Sequence, residues 1–257
     1  MPFITAGDPD VATSLEILKR LPQSGADVIE IGVPFSDPMA DGPAIQASSL
    51  RALNAGMTVE KTLALVRDFR AVDDATPIVL MGYLNPVHAF GILRFTEAAA
   101  HAGVDGLITV DLPPEEDSLL REPAARHGLD IVRLATPTTD GGRLETIASG
   151  AGGFLYYVSV AGVTGTKSSV TQDVKKAVAR LKARANIPVA VGFGIRTPEQ
   201  AREIAAFADG VAVGSAIVAR VADGVDRGLA PAAIADDIAG FCARLAEAVH
   251  SARRVVG

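Results

Sequence analysis

The chain contains no tryptophan, a single cysteine and few aromatic residues, 5% of its 257 positions. With Cys242 alone, neither an intramolecular disulfide nor a cysteine metal cluster can form. Its neighbours Ile238, Phe241 and Leu245 recur at helical spacing, which makes the thiol a core residue rather than a nucleophile. No apolar run is long enough to span a membrane, since even the stretch 210–219 is halted by Arg220. The opening Met1-Pro2-Phe3-Ile4-Thr5 lacks the charged and apolar regions of a secretory signal, so a soluble cytoplasmic protein is expected. Basic excess is also missing. Lys plus Arg number 24 against 30 Asp plus Glu, a formal net charge of −6, with both signs interspersed. That excludes broad nucleic-acid binding but allows a local phosphate site built from backbone N–H groups. His88, His101, His127 and His250 are scattered, without ligand partners at metal-binding spacing, and receive no catalytic role.

The chain does have short apolar runs alternating with amphipathic segments. Strands are predicted at 3–6, 28–33, 78–83, 106–110, 131–135, 154–158, 189–193 and 210–213. Helices are predicted at 12–21, 59–70, 92–101, 115–127, 143–149, 172–184, 198–207 and 231–249. Thr58 before Val59 and Thr197 before Pro198 are helix-start signals. Gly25, Gly103 and Gly128 fall where helices should stop. Near-continuous apolar strands alternating with helices imply a parallel sheet covered by helices. About eight such units predict a closed (β/α)₈ TIM barrel, with residues 1–257 as one domain. A doubly wound open sheet is the competing architecture. Closure is favoured because unusual residues recur after many different strands, whereas an open sheet gathers them near one switch point.

The first unusual residue is Glu30, inside the apolar run 28–33. Burying a carboxylate among Val and Ile is costly and pushes its pKa up. The following loop, Pro34-Phe35-Ser36-Asp37-Pro38-Met39-Ala40-Asp41-Gly42-Pro43, carries Asp41. Asp41 alone is ordinary turn chemistry. With Glu30 it suggests a divided acid/base pair, the strand acid protonated and the loop acid ionised. Glycines mark the exits of the last three predicted strands: Ala161-Gly162-Val163-Thr164-Gly165, Gly192-Phe193-Gly194 and Gly214-Ser215. Together they fit a barrel phosphate site, with the short helix opening at Ser215 pointing its N–H groups at the anion. Phe3, Ile45, Tyr83, Tyr156 and Phe193 lie near strand ends, where a subset can form a flat slot for an aromatic ligand. Asp111, ending the fourth predicted strand, reads slightly better as a structural loop anchor than as a group supporting the site.

The segments 3–9, 30–43, 161–165 and 192–195 resemble the alpha subunit of tryptophan synthase, and the similarity extends from residue 2 to the last helix. The proline-rich signature around Glu30 and Asp41 is the most specific part. The resemblance implies a TIM barrel that cleaves indole-3-glycerol phosphate to indole and glyceraldehyde 3-phosphate by a retro-aldol reaction. It assigns Glu30 as acid/base and Asp41 as the group facing the indole N–H. It places the phosphate at Gly165, Gly194, Gly214 and Ser215, the indole among Phe3, Ile45, Ile108, Tyr156 and Phe193, and counts Thr164 among the substrate-binding residues. It also implies a beta-subunit partner in an alpha2beta2 tetramer, with pyridoxal phosphate only in that partner, and closure of the site by loops 35–42 and 161–167. Two departures stand out. Members usually carry an N-terminal helix and a longer first strand; if Met1 is the true start, the barrel bottom lacks a cover and the first strand loses pairing, and a misplaced start codon is the preferred reading. Val160 stands where some members have arginine, so an ion pair from that position cannot form.

Overall fold

The computed structural model describes residues 1–159, 167–192 and 194–254. The strands are β1 (Phe3–Thr5), β2 (Ile29–Gly32), β3 (Ile78–Gly82), β4 (Gly106–Thr109), β5 (Asp130–Ile131), β6 (Arg133–Ala135), β7 (Leu155–Val158), β8 (Val189–Gly192) and β9 (Gly210–Ala212). All pair in parallel, in the orders β1-β2-β3-β4-β5 and β6-β7-β8-β9. Two junctions join these sheets. The Val132 N–H bonds the Leu107 carbonyl at 2.9 Å, so β5 and β6 are one extended run that changes partner at Val132. This is why the predicted strand 131–135 appears as two pieces. At the other edge, the Phe3 N–H bonds the Val213 carbonyl and the Val213 N–H bonds the Met1 carbonyl, both at 2.9 Å. The cylinder is therefore closed, as the alternation of elements predicts.

That second junction corrects one expectation. The first strand does not lose pairing, because β1 bonds β2 on one edge and the Val213 segment on the other. Three extended residues suffice to reach both neighbours.

Helices α1 (Val11–Arg20), α2 (Pro43–Asn54), α3 (Val59–Arg70), α4 (Leu84–Phe90), α5 (Ile92–Ala102), α6 (Ser118–Arg126), α7 (Gly141–Ala148), α8 (Lys167–Lys182), α9 (Pro198–Ala205), α10 (Ser215–Asp226) and α11 (Pro231–Arg254) surround the strands. Their starts follow local chemistry. Asp10 accepts the Thr13 N–H at 2.8 Å, Thr58 accepts from Lys61 and Thr197 from Gln200, each satisfying an otherwise free first-turn donor. Gly103 closes α5 at φ 91°, a left-handed conformation costly for other residues. The predicted 59–70 helix has the observed bounds; α2 and α4 are additional. The signal for α2 was Pro43 just inside its start, but its inner face carries Ser48 and Ser49 and so lacks an apolar stripe.

Two apolar layers result. Ile29, Ile31, Ile78 and Leu80 point outward against the helices, in the larger core. Alternate residues Val79, Ile108, Val132, Phe154, Tyr156, Ala190 and Ala212 fill the cylinder itself. Glu30, flanked by two outward isoleucines, has to share this interior. Cys242 is buried, and burial pushes its thiol up to about 12, which leaves it inert at neutral pH.

Candidate active site

Glu30 is fully buried, paired in register with Phe3 of β1 and Val79 of β3. Neither carboxylate oxygen has a hydrogen-bond partner among the described residues. The Tyr156 hydroxyl lies alongside without completing a hydrogen bond. Desolvation dominates and raises the Glu30 carboxyl to about 8, opposed first by the positive charge of the Met1 amino group and then by the Tyr156 hydroxyl. An acid held neutral at pH 7 in the barrel interior is poised to donate and retrieve a proton.

Asp41 ends the loop after β2, half-buried, where α2 begins. Its pKa is raised as well, by burial, with the Tyr83 hydroxyl opposing the rise. The loop position therefore does not leave Asp41 in an ordinary solvated setting. The contrast with Glu30 is one of degree, because Glu30 is completely enclosed and Asp41 is not.

The two acids line one cavity of about 150 Å³, shared with Phe3, Ile45, Tyr156, Gly194, Gly214 and Ser215. A site holding one water needs only about 10–15 Å³ by the same measure, so the space is real rather than packed shut. The structure thus brings together eight of the residues singled out from the sequence. Gly192 and Ile195, of the segment 192–195, also line it, as do Met81 and Ala212, which had not been singled out. Met81 and Ala212 were within reach of a stricter reading, since they end β3 and β9 on the inward-facing alternation. Gly192 is required by close approach: any side chain there runs into the Tyr156 hydroxyl. Gly194, at φ 40°, turns the chain away from β8 at the cavity rim.

Ser215 opens α10 with Gly214 before it, so the free first-turn N–H groups of a 12-residue helix sit at the cavity edge. Ile108 does not line this cavity. It is buried in the inner layer with Val79 and Tyr156, in register with Met81 of β3. Thr164, Gly165 and Phe193, together with Val160 and loop residues 161–166, lie outside the described residues. Asp111 accepts the Leu84 N–H at 2.8 Å at the start of α4, which bears out the structural anchor.

A larger cavity of about 470 Å³ lies beside the exits of β4 and β6. Its buried charges are spent on one another. Arg133 bonds the Asp117 carboxylate and the Thr146 and Ile147 carbonyls, and Arg121 also bonds Asp117. It offers no poised acid. Among the described residues no group of three His, Cys, Asp or Glu is placed to hold a metal, and no helix is long and apolar enough to cross a membrane.

A neutral buried acid, a second acid across the cavity and a helix N-terminus at its rim define a parallel-barrel enzyme for acid/base chemistry on a small anionic substrate. A sequence profile described as tryptophan synthase alpha chain matches residues 1–249. The chain belongs to the tryptophan synthase alpha chain family. It is 40% identical to tryptophan synthase subunit alpha from Legionella pneumophila str. Paris, with 97% of this chain and 92% of that one covered at a TM-score of 0.89. A tryptophan synthase structure from M. tuberculosis, in its aminoacrylate- and BRD0059-bound form, is 36% identical over 96% and 90% of the two chains, TM-score 0.84. A tryptophan synthase complex from Pyrococcus furiosus is 35% identical over 95% and 96%, TM-score 0.85. The chain is thus a lyase of tryptophan biosynthesis, cleaving indole-3-glycerol phosphate to indole and glyceraldehyde 3-phosphate.

Proposed function

We propose that Glu30 and Asp41 divide the work of this cleavage within a single barrel domain spanning residues 1–257. Glu30 begins protonated and gives its proton to indole C3, which leaves the ring as a cation with its charge centred on the N–H. The ionised Asp41 stabilises that cation. The Glu30 carboxylate then takes the proton of the adjacent glyceryl hydroxyl. The C–C bond breaks, its electrons return to the ring, and the oxygen becomes the aldehyde of glyceraldehyde 3-phosphate. The acid ends as it began, protonated, so one residue serves both steps. Gly165, Gly194, Gly214 and Ser215 bind the phosphate, and Thr164 also contacts the substrate. Phe3, Ile45, Tyr156 and Phe193, with Ile108, bound the indole ring.

The observation that carries this reading is the orphaned Glu30 carboxyl, fully enclosed and raised to about 8. A burial this costly has a reason when the neutral acid is the working form. The scheme calls on no cofactor in this chain. Pyridoxal phosphate belongs to a beta subunit that receives the indole, the two assembling as an alpha2beta2 tetramer in the cytoplasm. Because the chain has no tryptophan, indole fluorescence reports release against little protein background. Indole should accumulate from indole-3-glycerol phosphate, faster with a tryptophan synthase beta subunit present. Silence both with and without that partner would remove the proposal.

A further inference from the structure

We infer that Tyr83 is a positioning residue for Asp41, its ring and hydroxyl together holding the loop 35–41 against the barrel mouth. The inference rests on the roles proposed above for Glu30 and Asp41 and extends them to a residue with no place on the cavity wall around Glu30.

The loop has little structure of its own. Met39 is 87% exposed, and the loop's internal hydrogen bonds are short-range, from the Met39 N–H to the Asp37 carbonyl and from the Asp41 N–H to the Pro38 carbonyl. Tyr83, by contrast, is buried, at the exit of β3. Its ring packs on Phe35, with centroids 5.4 Å apart and planes tilted by 37°. Its hydroxyl oxygen accepts the Ala40 N–H at 3.0 Å. Having accepted there, the hydroxyl has its own proton to offer to the adjacent Asp41 carboxylate, and this interaction favours the ionised acid. Tyr83 is itself fixed from behind: Asp111 accepts the N–H of the next residue, Leu84. One side chain on a rigid strand end therefore grips both ends of an exposed loop.

Among the described residues, Tyr83 from β3 and Glu30 from β2 share the cavities that Asp41 lines, and α2 presents the uncharged Ile45, Ser49 and Gln46, the last donating to the Asp41 carbonyl at 2.8 Å. Asp111 acts on the Tyr83 hydroxyl from the β4 exit. Removing that hydroxyl leaves the Ala40 N–H to water at the exposed loop, so the fold should survive while the placement of Asp41 does not.

The test is Tyr83→Phe. Its kcat should fall about ten- to a hundredfold with a smaller change in KM. The acid limb of its pH profile should move to higher pH, because the lost hydroxyl favoured ionised Asp41. Phe35→Leu, which keeps the hydroxyl, should leave that limb in place. Carbon-13 NMR titration of the Asp41 carboxyl reads the same displacement without turnover, so it stands even if the wild-type chain released no indole. An Asp41 titration unmoved in Tyr83→Phe, or wild-type kcat in that variant, overturns the inference. The reading of Glu30 and Asp41 fails separately, on the wild-type protein.

Discussion

Glu30→Gln is expected to lower indole release by on the order of a thousandfold or more, the upper part of the range for loss of a general acid/base. The amide has the shape of the acid, fills the same place between Phe3 and Val79, and cannot donate and retrieve a proton. Steady-state fluorescence of released indole measures the loss, and substantial remaining turnover would take the role from Glu30. The same variant should not be less stable. Between the ordinary glutamate pKa of about 4.5 and the native value of about 8, the folded chain binds more protons at this site than the unfolded chain. The contribution of Glu30 to stability is thus fully present below the lower value and is lost as pH rises through the upper one. Glutamine has no such loss. The melting temperature of Glu30→Gln relative to wild type should therefore rise from pH 5 towards pH 8, by an amount corresponding to several kcal/mol at most. A parallel pair of melting curves across that range would mean that Glu30 titrates normally.

Asp41→Asn is expected to cost about a hundredfold or more in kcat, the scale for removing one preorganised charge from a developing opposite charge. Asparagine can still meet the indole N–H through its carbonyl, so binding should suffer less than turnover. The phosphate site proposed at Gly214 and Ser215 is built from another element, α10, and should be untouched. Competitive inhibition by inorganic phosphate measures that independence. Equal losses in kcat and phosphate affinity would show that Asp41 holds the cavity together rather than stabilising the cation.

Much of this was legible in the amino-acid order because the relevant physics is local. The apolar run 28–33 marked a buried strand with Glu30 within it, and capping residues such as Thr58 and Thr197 marked helix starts. The glycines at 194 and 214 lay at strand exits, as a phosphate rim requires. What was not legible depends on three-dimensional neighbours. Asp41 read as a solvated loop acid because nothing local shows Tyr83, 42 positions later, leaning over it. α2 escaped notice because its inner face is built from Ser48 and Ser49. Ser48 meets the Thr5 hydroxyl at 2.6 Å, a buried polar contact without a periodic apolar signature.

The central claim is that Glu30 is a neutral acid at the pH where the enzyme works. Carbon-13 NMR of side-chain-labelled glutamate, with the Glu30 signal assigned by its absence in Glu30→Gln, measures this without substrate or partner. The account predicts a carboxyl signal that titrates near pH 8, apart from the other glutamates. A Glu30 signal that titrates with them, near 4 to 5, would contradict it.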